Sequence, residues 1–133
     1  MKVILDTNIW ISFFFGRHFT QIADILRNDS VEIYVSDELI SEIKEVALRP
    51  KFSGIISPAK LQSLLTVIDE RCTKISDYGA IESEIRDSKD LYLISMAEAI
   101  PADYLVTGDK DLLVLIRQGK CRIITFSEFL KLL

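Results

Sequence analysis

Two aspartates of this 133-residue chain follow apolar runs that are typical of buried parallel strands. Asp6 comes directly after the apolar residues 3–5, and Asp109 follows residues 104–107 and one glycine. In a sheet of parallel strands, the ligand site lies beyond the carboxyl ends of the strands. Carboxylate oxygens suit hard cations such as Mg²⁺ or Mn²⁺. We therefore expect Asp6 and Asp109 to contribute to a metal site at this edge of the sheet.

Two further acids lie on predicted helices, at positions that face inward. At about 100° per residue, a helix over residues 37–48 places Glu42 at the edge of an apolar face, between Leu39 and Val46. In a helix over residues 89–100, Asp90 lies on the same stripe as Leu93 and Ile94. A carboxylate on a buried stripe is costly unless it is hydrogen-bonded or binds a metal. Glu42 and Asp90 thus join the candidate metal ligands.

Three of these acids also have an ordinary structural interpretation. Asp90 fits a capping box that begins at Asp87 or Ser88. Glu42 on its own fits a surface acid. Asp109 precedes a predicted helix, where the helix dipole favours an acid. These alternatives stay open for each residue taken alone, and the metal site is predicted from the convergence of the acids on one sheet edge.

The elements that must position these residues alternate along the chain. The pattern predicts strands at residues 3–5, 32–35, 104–107 and 122–126, with a short one around 72–75. Helices are predicted at residues 20–28, 37–48, 58–70, 89–100, 110–117 and 127–132. Strands that alternate with helices of this length indicate an α/β domain with a mostly parallel sheet. No repeat or linker interrupts the pattern, so residues 1–133 are interpreted as one domain.

Composition excludes several other kinds of chemistry. His18 is the only histidine, which excludes histidine-rich zinc sites and leaves little scope for a Ser-His-Asp mechanism. Cys72 and Cys121 form no CxxC pair, and no apolar run approaches the roughly 18 residues of a membrane helix. We expect a reduced, cytoplasmic protein. The net charge of −4 argues mildly against a nucleic-acid partner, although cations bound at an acidic site would reverse the local sign.

The four acids lie among five short segments: Leu5-Asp6-Thr7-Asn8, Ser41-Glu42-Ile43, the trailing Leu48-Arg49-Pro50-Lys51-Phe52, Arg86-Asp87-Ser88-Lys89-Asp90 and Asp103-Tyr104-Leu105-Val106-Thr107-Gly108-Asp109-Lys110-Asp111-Leu112. In this order, and over nearly the whole chain, these segments resemble the motifs of PIN-domain nucleases. The chain is most similar to the VapC-like branch, the toxin components of toxin–antitoxin pairs. It departs from that branch after Asp90, where Leu91-Tyr92 replaces polar residues, and this departure concerns the mouth of the site.

The resemblance implies a PIN-like three-layer α/β/α fold and a metal-dependent ribonuclease. Its acidic quartet would be Asp6, Glu42, Asp90 and Asp109, holding Mg²⁺ or Mn²⁺, and RNA cleavage would leave a 5′-phosphate and a 3′-hydroxyl. The supporting groups near the metal would be Asn8, Thr107, Asp87 and Asp111. The partners implied are an RNA substrate, a cognate antitoxin protein and a second copy of the chain in a homodimer, with no membrane.

Three alternatives compete with this hypothesis. A haloacid-dehalogenase-like phosphatase needs a second acid two residues after the first, where this chain has Asn8. A receiver domain needs an acidic pair at the end of the first strand, where only Asp6 stands. The third alternative is a PIN-like module that binds RNA or a protein partner without cleaving.

The aromatic-rich residues 10–15 are interpreted either as an exposed loop that binds a partner or as part of the core.

Overall fold

The computed structural model describes residues 1–76 and 88–133, without the side chains of residues 17 and 88–90. Its strands are β1 (Lys2–Leu5), β2 (Glu32–Ser36), β3 (Thr73–Ile75), β4 (Tyr104–Val106), β5 (Arg117–Gln118) and β6 (Cys121–Ile124). Its α-helices are α1 (Thr7–Ile11), α2 (Arg17–Arg27), α3 (Asp37–Ala47), α4 (Pro58–Arg71), α5 (Ser88–Ala99), α6 (Lys110–Leu113) and α7 (Phe126–Leu130). Two short 3₁₀ helices lie at Ser12–Phe14 and Pro50–Phe52.

The strands form one six-stranded sheet in the order β3-β2-β1-β4-β6-β5. All neighbouring strands are parallel except β5, which runs antiparallel to β6. The fold is a three-layer α/β/α arrangement, so the predicted fold class is confirmed. Because β1 pairs with β2 on one side and β4 on the other, the ends of these three strands meet at one edge, where Asp6, Ser36 and Thr107 follow or close them.

The core is built from both faces of the central strands. β1 and β4 are almost wholly apolar, and Val3, Ile4, Leu5, Leu105 and Val106 are fully buried. A parallel strand that is covered by helices on both faces requires such a continuous apolar run. Leu39 and Ile43 of α3 and Leu93 and Ile94 of α5 are buried as their helical spacing predicts.

Residues 7–14 form α1 and a 3₁₀ helix, whereas the sequence suggested an exposed aromatic loop as one interpretation of residues 10–15. Trp10 and Ile11 are buried in the core, and Phe13–Phe15 are partly buried. The exposed-loop interpretation is therefore wrong for the first two of these residues. A helix of 5 residues is too short to be recognised from periodicity and is held by its burial.

The predicted helix over residues 110–117 is also wrong in its second half. The helix α6 ends at Leu113, and Ile116 adopts a left-handed backbone conformation with φ of 61° that turns the chain into β5. Gly119 then occupies the first central position of the β5–β6 hairpin with φ of 60°, as a type II′ turn requires.

No helix in the described part of the chain is both long and apolar enough to cross a membrane.

Candidate active site

Asp6 is fixed at the carboxyl end of β1 by hydrogen bonds from three directions. Its backbone N–H donates to the carbonyl of Val106 at 2.9 Å, which continues the pairing of β1 with β4. Its Oδ1 accepts from the N–H of Thr7 at 2.6 Å, so Asp6 is also the N-cap of α1. Its Oδ2 accepts from the hydroxyl of Thr107 at 2.6 Å. The carboxylate is buried and both of its oxygens are hydrogen-bonded, which gives it one defined orientation.

Asp109 is connected to Asp6 through the fully buried Thr107. The Oγ1 of Thr107 donates to Asp6 and accepts from the backbone N–H of Asp109 at 3.0 Å. Asp109 is the N-cap of α6, since its Oδ1 accepts from the N–H of Asp111 at 2.8 Å. Asp109 therefore does cap a helix, as its structural interpretation predicts. The hydrogen bond from its N–H to Thr107 also fixes it near Asp6.

Glu42 approaches from α3 and is half-buried. Its Oε1 accepts from the hydroxyl of Thr7 at 2.6 Å, and its Oε2 accepts from the phenol of Tyr92, on α5, at 2.9 Å. Thr7 therefore links two acids, because its N–H binds Asp6 and its hydroxyl binds Glu42. The structure brings Asp6, Glu42 and Asp109 into one network around the ends of β1 and β4.

The electrostatics of this network centre on Asp6. Burial raises the pKa of its carboxyl, the hydrogen bonds from Thr107 and Thr7 lower it, and the negative charges of Glu42 and Asp109 raise it. The net effect is a pKa above the ordinary value. Burial and the Glu42 carboxylate likewise raise the pKa of Tyr92, which further favours the protonated phenol that donates to Glu42.

Asp6, Glu42 and Asp109 supply carboxylate oxygens at this edge, the ligand type that hard divalent cations prefer. A positive charge beside Asp6 would offset both the burial of its charged form and the repulsion from Glu42 and Asp109. In the described part of the chain, however, no three acidic, histidine or cysteine side chains already form a group that could hold a metal. The predicted fourth ligand, Asp90, lies in the first turn of α5, and its side chain is outside the described part of the structure.

The four predicted supporting residues fall into three groups. Thr107 lies at the centre of the network. Asn8 and Asp111 are exposed in the first turns of α1 and α6, and Asp111 contacts the site through its backbone N–H. Asp87 lies outside the described residues.

Sequence reasoning missed Thr7 and Tyr92 as functional candidates. Thr7 enters the sequence analysis only as part of the Leu5-Asp6-Thr7-Asn8 motif, yet its hydroxyl binds a carboxylate 35 positions away in the chain. Tyr92 was noted only as a departure from related sequences, and that departure was the one available signal.

A pocket of about 450 Å³ opens beside Glu42 along α3; the lining residues are Asp37, Glu38, Ser41, Glu42, Glu45, Val46, Arg49 and Tyr92.

The fold and this network define an α/β domain that gathers acidic side chains at the carboxyl ends of parallel strands, where such sheets bind their ligands. The family model of the PIN domain matches residues 2–111, and the chain belongs to the PIN domain family. PIN domains are generally nucleases, a class of hydrolases.

The solved structures that resemble this chain include the following two. One is VapBC2 from Rickettsia felis bound to a DNA fragment from their promoter, with 21% identity and a TM-score of 0.62 over 95% of this chain and 99% of that chain. The other is the RRP44 PIN domain of T. brucei, with 17% identity and a TM-score of 0.49 over 97% of this chain and 78% of that chain. A search of curated proteins gives no match.

Proposed function

We propose that this protein is a metal-dependent ribonuclease that hydrolyses RNA phosphodiester bonds, and that it is the toxin component of a toxin–antitoxin pair. One observation carries the proposal of a metal-dependent nuclease. The buried carboxylate of Asp6 is held by Thr7 and Thr107 between the charges of Glu42 and Asp109, at the ligand-binding edge of a PIN fold. A buried acid that faces two like charges is costly to maintain unless a cation offsets it.

The residues that would hold Mg²⁺ or Mn²⁺ are Asp6, Glu42, Asp90 and Asp109. When bound, such an ion would supply Lewis acidity, which lowers the pKa of water for attack on phosphorus and stabilises the leaving oxygen. Thr107 and Thr7 orient the carboxylates of Asp6 and Glu42 through hydroxyl hydrogen bonds, so these groups need little reorganisation when substrate arrives. We propose that the RNA strand approaches this edge through the pocket beside Glu42, whose lining includes Glu42 and Tyr92.

Cleavage of RNA by the purified protein tests the proposed activity. With millimolar Mn²⁺ or Mg²⁺ we expect cellular RNA to be cut to fragments with 5′-phosphates and 3′-hydroxyls, the ends that the resemblance to PIN-domain nucleases implies. Water would attack phosphorus, and the bond between phosphorus and the 3′-oxygen would break. EDTA should abolish the cleavage. Undiminished cleavage in EDTA would contradict the mechanism, and RNA binding without cleavage would favour the inactive PIN-like module.

Metal binding should also stabilise the folded protein, because the cation offsets carboxylate repulsion that only the folded state contains. At a metal concentration of about 100 times the dissociation constant, the expected gain is about 2.7 kcal/mol, measured as a rise in melting temperature. The control is NaCl at the same ionic strength, which screens charge without occupying the site. An unchanged melting temperature at millimolar Mn²⁺ and Mg²⁺ would count against the acidic site.

The toxin assignment rests on the resemblance to the VapC-like branch. We propose that the chain pairs with a small antitoxin protein, forms homodimers and acts in the cytoplasm, where RNA is its substrate. A short neighbouring reading frame that encodes a DNA-binding protein, and that co-purifies with this chain when both are expressed, would support the pairing. Growth arrest on expression of this chain alone, relieved by that partner, would be the decisive result.

A further inference from the structure

Two hydroxyl groups hold the carboxylate of Glu42, one on each oxygen. Thr7, in the first turn of α1, donates to Oε1 at 2.6 Å, and Tyr92, in α5, donates to Oε2 at 2.9 Å. The last torsion of a glutamate side chain is intrinsically broad and roughly two-fold. A carboxylate with a separate donor on each oxygen cannot rotate about that torsion without breaking a hydrogen bond. Glu42 is thus fixed between two helices that belong to different parts of the chain.

We propose that Tyr92 is a positioning residue of the active site, which acts by holding the carboxylate of Glu42 in the orientation that binds the metal. The inference rests on the proposed function and extends it to a residue at which this chain departs from the related sequences. Thr7 orients Glu42 toward Asp6, because the same residue binds both acids. Tyr92 supplies the second attachment, from the helix whose first turn contains Asp90.

The surroundings of Tyr92 allow this role in addition to its packing against the core. Its side chain is only partly buried, and it lines the pocket beside Glu42. Its neighbours Leu93 and Ile94 supply the buried face of α5. A phenylalanine at position 92 would retain the ring and its packing and lose only the hydroxyl. The hydrogen bond to Glu42 can therefore be removed with little change to the fold.

The experiment compares Tyr92→Phe with the wild type in two measurements. We expect the affinity for Mn²⁺, measured by calorimetry, to fall about tenfold, and kcat for RNA cleavage to fall by a similar factor with KM little changed. The matched control is Tyr34→Phe. Tyr34 also donates its hydroxyl to a glutamate oxygen, Glu32 Oε2, at 2.9 Å, but on an exposed part of β2. That control should retain the Mn²⁺ affinity and the kcat of the wild type.

A double-mutant cycle separates positioning through Glu42 from a general structural effect. In a Glu42→Gln background, Tyr92→Phe should cause no further loss of Mn²⁺ affinity, because the group that it positions has already lost its charge. A full additional tenfold loss in that background would overturn the proposal, as would wild-type Mn²⁺ affinity in the single variant Tyr92→Phe. If the wild type binds Mn²⁺ but cuts no RNA, the proposed ribonuclease activity is contradicted. The calorimetric comparison of Tyr92→Phe with the wild type then still tests whether Tyr92 positions Glu42 for metal binding.

Discussion

Asp6→Asn should reduce RNA cleavage by at least about 100-fold at saturating Mn²⁺, since several kcal/mol of transition-state stabilisation depend on the metal that this carboxylate would bind. The substitution removes the charge but keeps the size of the side chain, and the amide oxygen can still accept from the N–H of Thr7. The measurement is the initial rate of cleavage with mapping of the RNA ends. The matched control is Asp24→Asn on α2, where the carboxylate is 69% exposed and should be dispensable. Wild-type cleavage by Asp6→Asn would refute the proposed site.

The same variant should show a pH-dependent gain in stability when no metal is present. The folded state raises the pKa of Asp6 above 3.8, so it binds this proton more tightly than the unfolded state does. The contribution of Asp6 to stability is therefore neutral at low pH and becomes unfavourable as the pH rises through the raised pKa. The measurement is the free energy of unfolding by urea in EDTA. Between about pH 4 and about pH 7, this free energy should rise for Asp6→Asn relative to the wild type. A difference that does not vary with pH would contradict this account.

Thr107→Val should impair both stability and activity, because it removes a fully buried hydroxyl with two partners. The loss leaves Asp6 Oδ2 without its donor and the N–H of Asp109 without its acceptor. Unsatisfied buried groups of this kind cost about 1–3 kcal/mol of unfolding free energy. Loss of a group that orients a metal ligand costs about 10- to 100-fold in activity. The measurements are urea unfolding and the rate of RNA cleavage.

Two further variants at threonine positions make this experiment specific. Thr107→Ser keeps the hydroxyl and should recover most of the activity. Thr66→Val removes a hydroxyl that donates to the carbonyl of Gln62 at 3.0 Å on an exposed face of α4, and it should leave cleavage unchanged. If Thr107→Val retained both wild-type stability and wild-type cleavage, the hydroxyl bridge between Asp6 and Asp109 would have no functional importance.

The sequence predicts two kinds of element well: strands that are buried on both faces, and helices with one completely buried stripe. The apolar residues of β1 and β4 and the spaced apolar residues of α3 and α5 report directly on the core. Even the bounds agree closely for α4, predicted at residues 58–70 and observed at Pro58–Arg71, where Ser57 caps the helix and proline begins it. α1, with 5 residues, and β5, with 2 residues, are too short for their periodicity to be recognised in the sequence.

The sequence predicts the acidic residues of the candidate site, but not the hydrogen bonds that connect them. The position of Asp6 after an apolar strand and of Asp109 after Thr107 pointed to one edge, because parallel strands end together. The hydrogen bonds from Thr7 and Tyr92 to Glu42 span 35 and 50 residues of sequence, and they depend on how α1, α3 and α5 pack. No local pattern contains that information. It comes from the tertiary structure alone.

The outermost strands of the sheet restrict how two copies of this protein could associate. β3 contains 3 residues and β5 contains 2, and each includes a basic side chain, Lys74 and Arg117 respectively. A partner strand laid along either border would gain few backbone hydrogen bonds, and along β5 it would also meet the positive charge of Arg117. Joining two sheets into one continuous sheet is therefore unfavourable along these strands. A homodimer of this chain would instead be expected to form through helical surfaces, with each sheet remaining separate.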